Sequence, residues 1–148
     1  MERLPRRIKI TWQATDPALQ RREEHLAHLL EAFLAGLGFP RSGVTLLLGD
    51  DAALQALNGR FRGLAAPTDI LSWSYLTEGS QPELLGELAV SLERVQAQAR
   101  ENGWDPWTEL ARLLAHGCAH LAGYAHDAPA QDRVMREVEE RLLAAAGI

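Results

Sequence analysis

The stretch Ile70–Asn102, ILSWSYLTEGSQPELLGELAVSLERVQAQAREN, holds three elements in a row. Ile70 to Tyr75 is apolar and aromatic and reads as a strand. Thr77 to Pro82 is turn-like and Leu85 to Leu92 reads as another strand, so the two can pair as a hairpin. Ser91 is placed to cap a helix running to about Asn102. A hairpin followed at once by a helix points to a mixed α and β domain.

Working outward, Ile8, Ile10 and Trp12 alternate with polar residues, as in a half-buried strand. Asp16-Pro17 opens a helix, with Asp at the N-cap and Pro at the first helical position. Leu19, Leu26, Leu29, Leu30, Phe33 and Leu37 give that helix an apolar stripe, which Gly36, Gly38 and Pro40 end. Val44 to Leu48 is a further strand, and Asp50 or Asp51 caps a short helix through Leu57. Beyond the hairpin, Asp105-Pro106 opens another helix and Pro129 the last, with Val134, Val138, Leu142 and Leu143 on one side. The order β-α-β-α-β-β-α-α-α predicts an α/β (α+β) fold. It is a single compact domain over 1–148, a small mixed four-stranded sheet packed with about five helices.

Composition narrows the functional classes. At 148 residues, with 47% hydrophobic and 24% charged, the chain has the balance of a soluble globular domain that can bury a core without staples. One cysteine, Cys118, excludes a disulfide framework, and a reducing, cytoplasmic setting is expected. No apolar run is long enough for a membrane span, and no signal-type stretch follows the basic Met1–Lys9 segment. A net charge of −5 argues against indiscriminate nucleic-acid binding but leaves room for a local basic cleft. Of the fifteen cations only Lys9 is a lysine, so the charge is carried by planar forks suited to phosphate.

The chemistry concentrates in His116-Gly117-Cys118-Ala119-His120-Leu121-Ala122-Gly123-Tyr124-Ala125-His126-Asp127. His116 and His120, four apart on a helix, share one face. Gly123 can end the helix in a left-handed turn and swing His126 back toward the pair. Three imidazoles converging on one point make an open metal site, with water in the fourth position. Zinc suits such a site, one ion per chain, with nickel or copper as other divalent candidates. Cys118 points to the opposite helix face and reads as core. His25 and His28 read as surface residues, and Trp104 and Trp107 as packing at the helix entrance. Metzincin proteases share this histidine spacing but carry a Glu after the first His as general base. Here that position is Gly117, so proteolysis is the minor alternative.

A second block is Leu57-Asn58-Gly59-Arg60-Phe61-Arg62-Gly63, followed by Pro67-Thr68-Asp69-Ile70-Leu71-Ser72-Trp73. Together with Leu85-Gly86-Glu87 and the H-G-x-x-H-x-x-G-Y-x-H pattern it resembles the YbeY family of bacterial rRNA-maturation endoribonucleases. The resemblance runs from about Val44 to the C-terminus and is weaker before that. It implies that His116, His120 and His126 bind zinc and that Arg62, the Arg of the R-G-x-x-x-P-T-D block, lines the same cleft. Arg62 and His116 are then the catalytic residues, with Arg60 beside Arg62 as a further substrate contact.

Three positions depart from the family pattern: Ala119 stands for Leu, Ala125 for Asp, and Glu87 for Asp. Ala125 removes a carboxylate from beside the third His, which Asp127 replaces only if the turn presents it. Thr68 and Asp69 read as turn residues.

The activity implied is a zinc-dependent, single-strand-specific endoribonuclease acting in 16S rRNA 3′-end maturation and ribosome quality control. Its partners would be single-stranded RNA, precursor rRNA and the small ribosomal subunit, with no membrane and no DNA. The alternative of another class is a zinc-stabilised ribosome-assembly factor without turnover.

Overall fold

The computed structural model describes residues 7–62, 68–125 and 127–148, apart from the side chain of Arg62. Four strands, β1 (Ile8–Trp12), β2 (Gly43–Gly49), β3 (Ile70–Ser74) and β4 (Leu84–Ser91), form one sheet in the order β1-β2-β4-β3. β1, β2 and β4 run parallel, and β3 pairs antiparallel with β4 as the hairpin requires. Among the described residues six helices surround it: α1 (Pro17–Gln20), α2 (Glu23–Gly36), α3 (Asp51–Arg62), α4 (Leu92–Asn102), α5 (Pro106–Leu121) and α6 (Pro129–Ala145).

The register sorts side chains by face. Ile8, Val44, Leu46 and Leu48 align with Leu88 and Val90 and form the main core with α2, α4, α5 and α6. Leu26, Leu30, Phe33, Leu110, Leu114 and Leu121 are fully buried against that face. Among the described residues the opposite face is covered by α3, where Leu54 packs with Leu71 and Ala89, flanked by Leu47, Leu57 and Trp73. Among the described residues no helix is long and apolar enough to cross a membrane.

The helix starts follow local chemistry. Asp16, Ser91 and Asp105 accept side-chain hydrogen bonds from the amides of Leu19, Arg94 and Thr108, and Pro17, Pro106 and Pro129 sit in the first helical turn.

Two helices differ from the sequence reading. The helix opened by Asp16-Pro17 breaks at Arg21–Arg22, where Arg22 leaves helical geometry (φ −102°, ψ 18°). The run Arg21–Glu24 is exposed, so no apolar side chain ties that turn to the core. The helix expected to stop at Leu57 continues to Arg62. Asn58 is buried and Phe61 meets Trp73 edge-on at 5.8 Å, so tertiary contact carries it past Gly59. Arg60 and Arg62 therefore belong to α3.

Candidate metal centre

α5 supplies the first two imidazoles. His116 and His120 lie one turn apart, their ring centroids 4.7 Å apart and nearly perpendicular (85°). Both line an open cleft of about 740 Å³ between α5 and the edge strand β3. Ile70 and Ser72 form its sheet side, Thr68 and Asp69 its rim, and Arg112 and Asp127 flank the histidines.

α5 comes close to the sheet at Gly117. A Cβ there would stand 2.7 Å from Ile70 Cδ1 and 2.9 Å from a Leu88 methyl. Farther along, Ser74 donates to the Leu121 carbonyl at 2.7 Å and ties the end of α5 to β3. The position at which a metzincin carries its general base is here a glycine set against Ile70 and Leu88.

The end of α5 is a Schellman turn. Gly123 is left-handed (φ +100°), its amide bonds the His120 carbonyl at 3.0 Å, and the Tyr124 amide bonds the Ala119 carbonyl at 3.0 Å. The chain therefore reverses immediately after His120. His126, the third expected ligand, lies outside the described residues. Among the described residues no three His, Cys, Asp or Glu side chains are grouped to hold an ion.

His116 Nδ1 is hydrogen-bonded to Glu139 Oε1 of α6, and both side chains are partly buried (34% and 20% exposed). Nothing in the local sequence signalled this contact. Arg112 was also missed: it lies one turn before His116 and its guanidinium sits 4.7 Å above the Trp104 ring. The signal available was its i−4 spacing from His116.

Other expected residues fall as follows. Cys118 is fully buried, and burial pushes its thiol up to about 12, so it remains a neutral core group. His25 and His28 are exposed. Trp104 donates to Glu109 at 2.8 Å and Trp107 lies under Arg22 at 3.8 Å, so both pack the entrance of α5. The Asp69 carboxylate accepts from Gln98 at 3.2 Å while its carbonyl accepts from the Ser91 amide at 2.9 Å.

Arg60 does not reach the histidine cleft. It lines a second cavity on the α3 face of the sheet, with Phe61, Trp73, Tyr75 and Glu87. Glu87, one of the departures, accepts from the Tyr75 hydroxyl there, and the pairing raises the Tyr75 pKa. That departure therefore sits away from the imidazoles. Ala119 is buried in the main core, and Asp127 reaches the cleft wall. The side chain of Arg62 lies outside the described structure.

The residues present fit a divalent metal. Two imidazoles share a helix face at an open cleft, one has its Nδ1 engaged by a carboxylate, and the turn after them leads directly to a third His.

Comparison with known proteins identifies the family. The family model described as "Endoribonuclease YbeY" matches residues 8–147. A protein of that name from Roseiflexus sp. is 45% identical over 113 residues, covering 71% of each chain. One from Chloroflexus aggregans is 38% identical over 143 residues, covering 91% of this chain and 90% of that one. A solution structure from Thermotoga maritima shares the fold, with a TM-score of 0.61 at 24% identity over 93% of this chain and 90% of that one. With the match running through both the sheet and the histidine-bearing helix, the chain belongs to the YbeY family of endoribonucleases.

Proposed function

We propose that this protein is a metal-dependent endoribonuclease that cuts single-stranded RNA. In this reading it works in the cytoplasm on the 3′ end of precursor 16S rRNA within small ribosomal subunits, and in ribosome quality control. The observation that carries the reading is the paired His116 and His120 imidazoles on the wall of an open, arginine-flanked cleft. Membership of the family extends it to RNA.

His116, His120 and His126 would hold one divalent ion, zinc by ligand type. When bound, such an ion would supply Lewis-acid polarisation of a phosphoryl oxygen and activation of water. The remaining work falls to the chain itself. Arg112, an exposed cation on the same wall as the histidines, would hold a backbone phosphate beside them. Arg62 at the end of α3 would stabilise the negative charge that builds on phosphorus in the transition state. Asp127 presents a carboxylate to the cleft that can accept a proton from an attacking hydroxyl. Asp69, already bonded by Gln98, shapes the rim beside β3.

The test uses metal-loaded protein with labelled single-stranded RNA, duplex RNA, immature ribosomal particles and casein side by side. Slow cutting of single strands, or of RNA in immature particles, abolished by chelator and by His116→Ala, is expected. Casein cleavage would favour the protease reading. Failure to cut any substrate would favour an assembly factor without turnover.

A further inference from the structure

We infer that Glu139 is a positioning residue for the metal centre, setting the tautomer of His116 so that its coordinating lone pair is on Nε2. The inference rests on the metal reading above. It names the residue that makes His116 a competent ligand and assigns a role to the last helix, which no site residue occupies.

Glu139 stands where a carboxylate is not needed for packing. Met135 and Leu143, one turn to either side on α6, are 1% and 5% exposed, and the adjacent Val138 is 4% exposed. Residues four apart share a helix face, so Glu139 lies in an apolar row that packs toward α5. Placing a carboxylate in that row costs solvation unless a partner compensates. The partner is His116 Nδ1, and the bond is partly shielded from water.

The consequence follows from imidazole chemistry. A neutral imidazole carries one N–H and one lone pair. A carboxylate can only accept, so the proton resides on Nδ1 and the lone pair is left on Nε2. The carboxylate also holds the plane of the ring. That plane stands at 85° to His120, so two rings on one wall present different edges to one point. Arg136, the basic residue three positions before Glu139, is bound by Asp132 at i,i+4 and does not replace His116 as the partner of Glu139.

The experiment has two arms. In metal-free wild-type protein at about pH 8, where imidazole is neutral, nitrogen-15 NMR should show His116 protonated on Nδ1. Protonation on Nε2 overturns the inference, whatever any variant does. In the second arm, zinc affinity is measured by chelator competition, and the absorption spectrum of the cobalt-substituted protein is recorded. Glu139→Ala should weaken zinc binding by about 10- to 100-fold and shift the cobalt spectrum. Glu139→Gln, whose amide oxygen still accepts from Nδ1–H, should restore most of that loss. A folded Glu139→Ala protein that binds zinc as tightly as wild type, with an unchanged cobalt spectrum, overturns the positioning role and leaves the metal reading standing. Wild-type protein that takes up no zinc fails at the earlier step and removes both.

Discussion

Gly117 on α5 and Ile70 on β3 are in such close approach that a single added carbon would meet the isoleucine methyl at 2.7 Å. This contact brings the histidine-bearing helix onto the edge strand and forms the floor of the cleft. It also lies at the position where a metzincin carries its general base. Gly117→Glu would write the H-E-x-x-H pattern into the chain, but its carboxylate would press on Ile70 and Leu88. We expect a loss of about 2–5 kcal/mol from overpacking and burial of a charge, read as a lower urea midpoint, and no peptidase activity. A stable Gly117→Glu protein that hydrolyses casein would contradict this.

One divalent ion per chain is expected, held by His116, His120 and His126. Elemental analysis of purified protein should find it, and His116→Ala combined with His120→Ala should remove it. Because an ion bound only to the folded state stabilises it by mass action, chelation should lower the Tm of the wild type and leave that of the double variant unchanged.

Arg62 should matter for cleavage far more than for folding. It ends α3, and replacing a charged residue at a helix end should move stability by no more than about 0.5 kcal/mol. Losing a group that stabilises transition-state charge should lower the cleavage rate by roughly 10²-fold or more. Arg62→Lys should restore only part of it, because a point charge does not replace a planar fork. Unchanged single-turnover cleavage by Arg62→Ala at saturating metal would reject the role.

Arg112 should act through binding. The chain is net acidic, so RNA affinity depends on a few local cations. Arg112→Ala should weaken RNA binding uniformly across sequences and flatten the log–log salt dependence by about one unit. Equal salt slopes for variant and wild type would mean that Arg112 serves only to cover Trp104.

Cys118 should be chemically silent in the native state, since burial holds its thiol up to about 12. The folded pKa is raised above the unfolded one, so the stability it contributes is complete below about pH 9 and is lost as pH rises toward 12. Within that window the loss approaches about 1.4 kcal/mol per pH unit. A thiol reagent at neutral pH should label Cys118 only after denaturant is added, and rapid native labelling would show that the helix face opens. Metal content should be the same in Cys118→Ala.

Much of this protein was legible one segment at a time. Asp16, Ser91 and Asp105 cap helices where the sequence places them, because a capping bond spans three residues. The hairpin follows from two apolar runs and a turn, and Gly123 reverses the chain after His120 because glycine takes a left-handed turn without strain. The shared face of His116 and His120 is a matter of helical period. In each case the controlling interaction lies within a few residues along the chain.

What only the tertiary structure decided lies between segments. Helix α3 runs on to Arg62 because Phe61 finds Trp73, and Arg60 consequently turns to the far face of the sheet. The first long helix breaks at Arg22 because that exposed turn has nothing apolar to bury. Glu139 meets His116 because α6 packs along α5, and nothing within either segment encodes that crossing. Caps, turns and periods are short-range and can be read from neighbouring residues. The partner of a ligand, the reach of a helix and the face a cation occupies depend on which surfaces the core brings together.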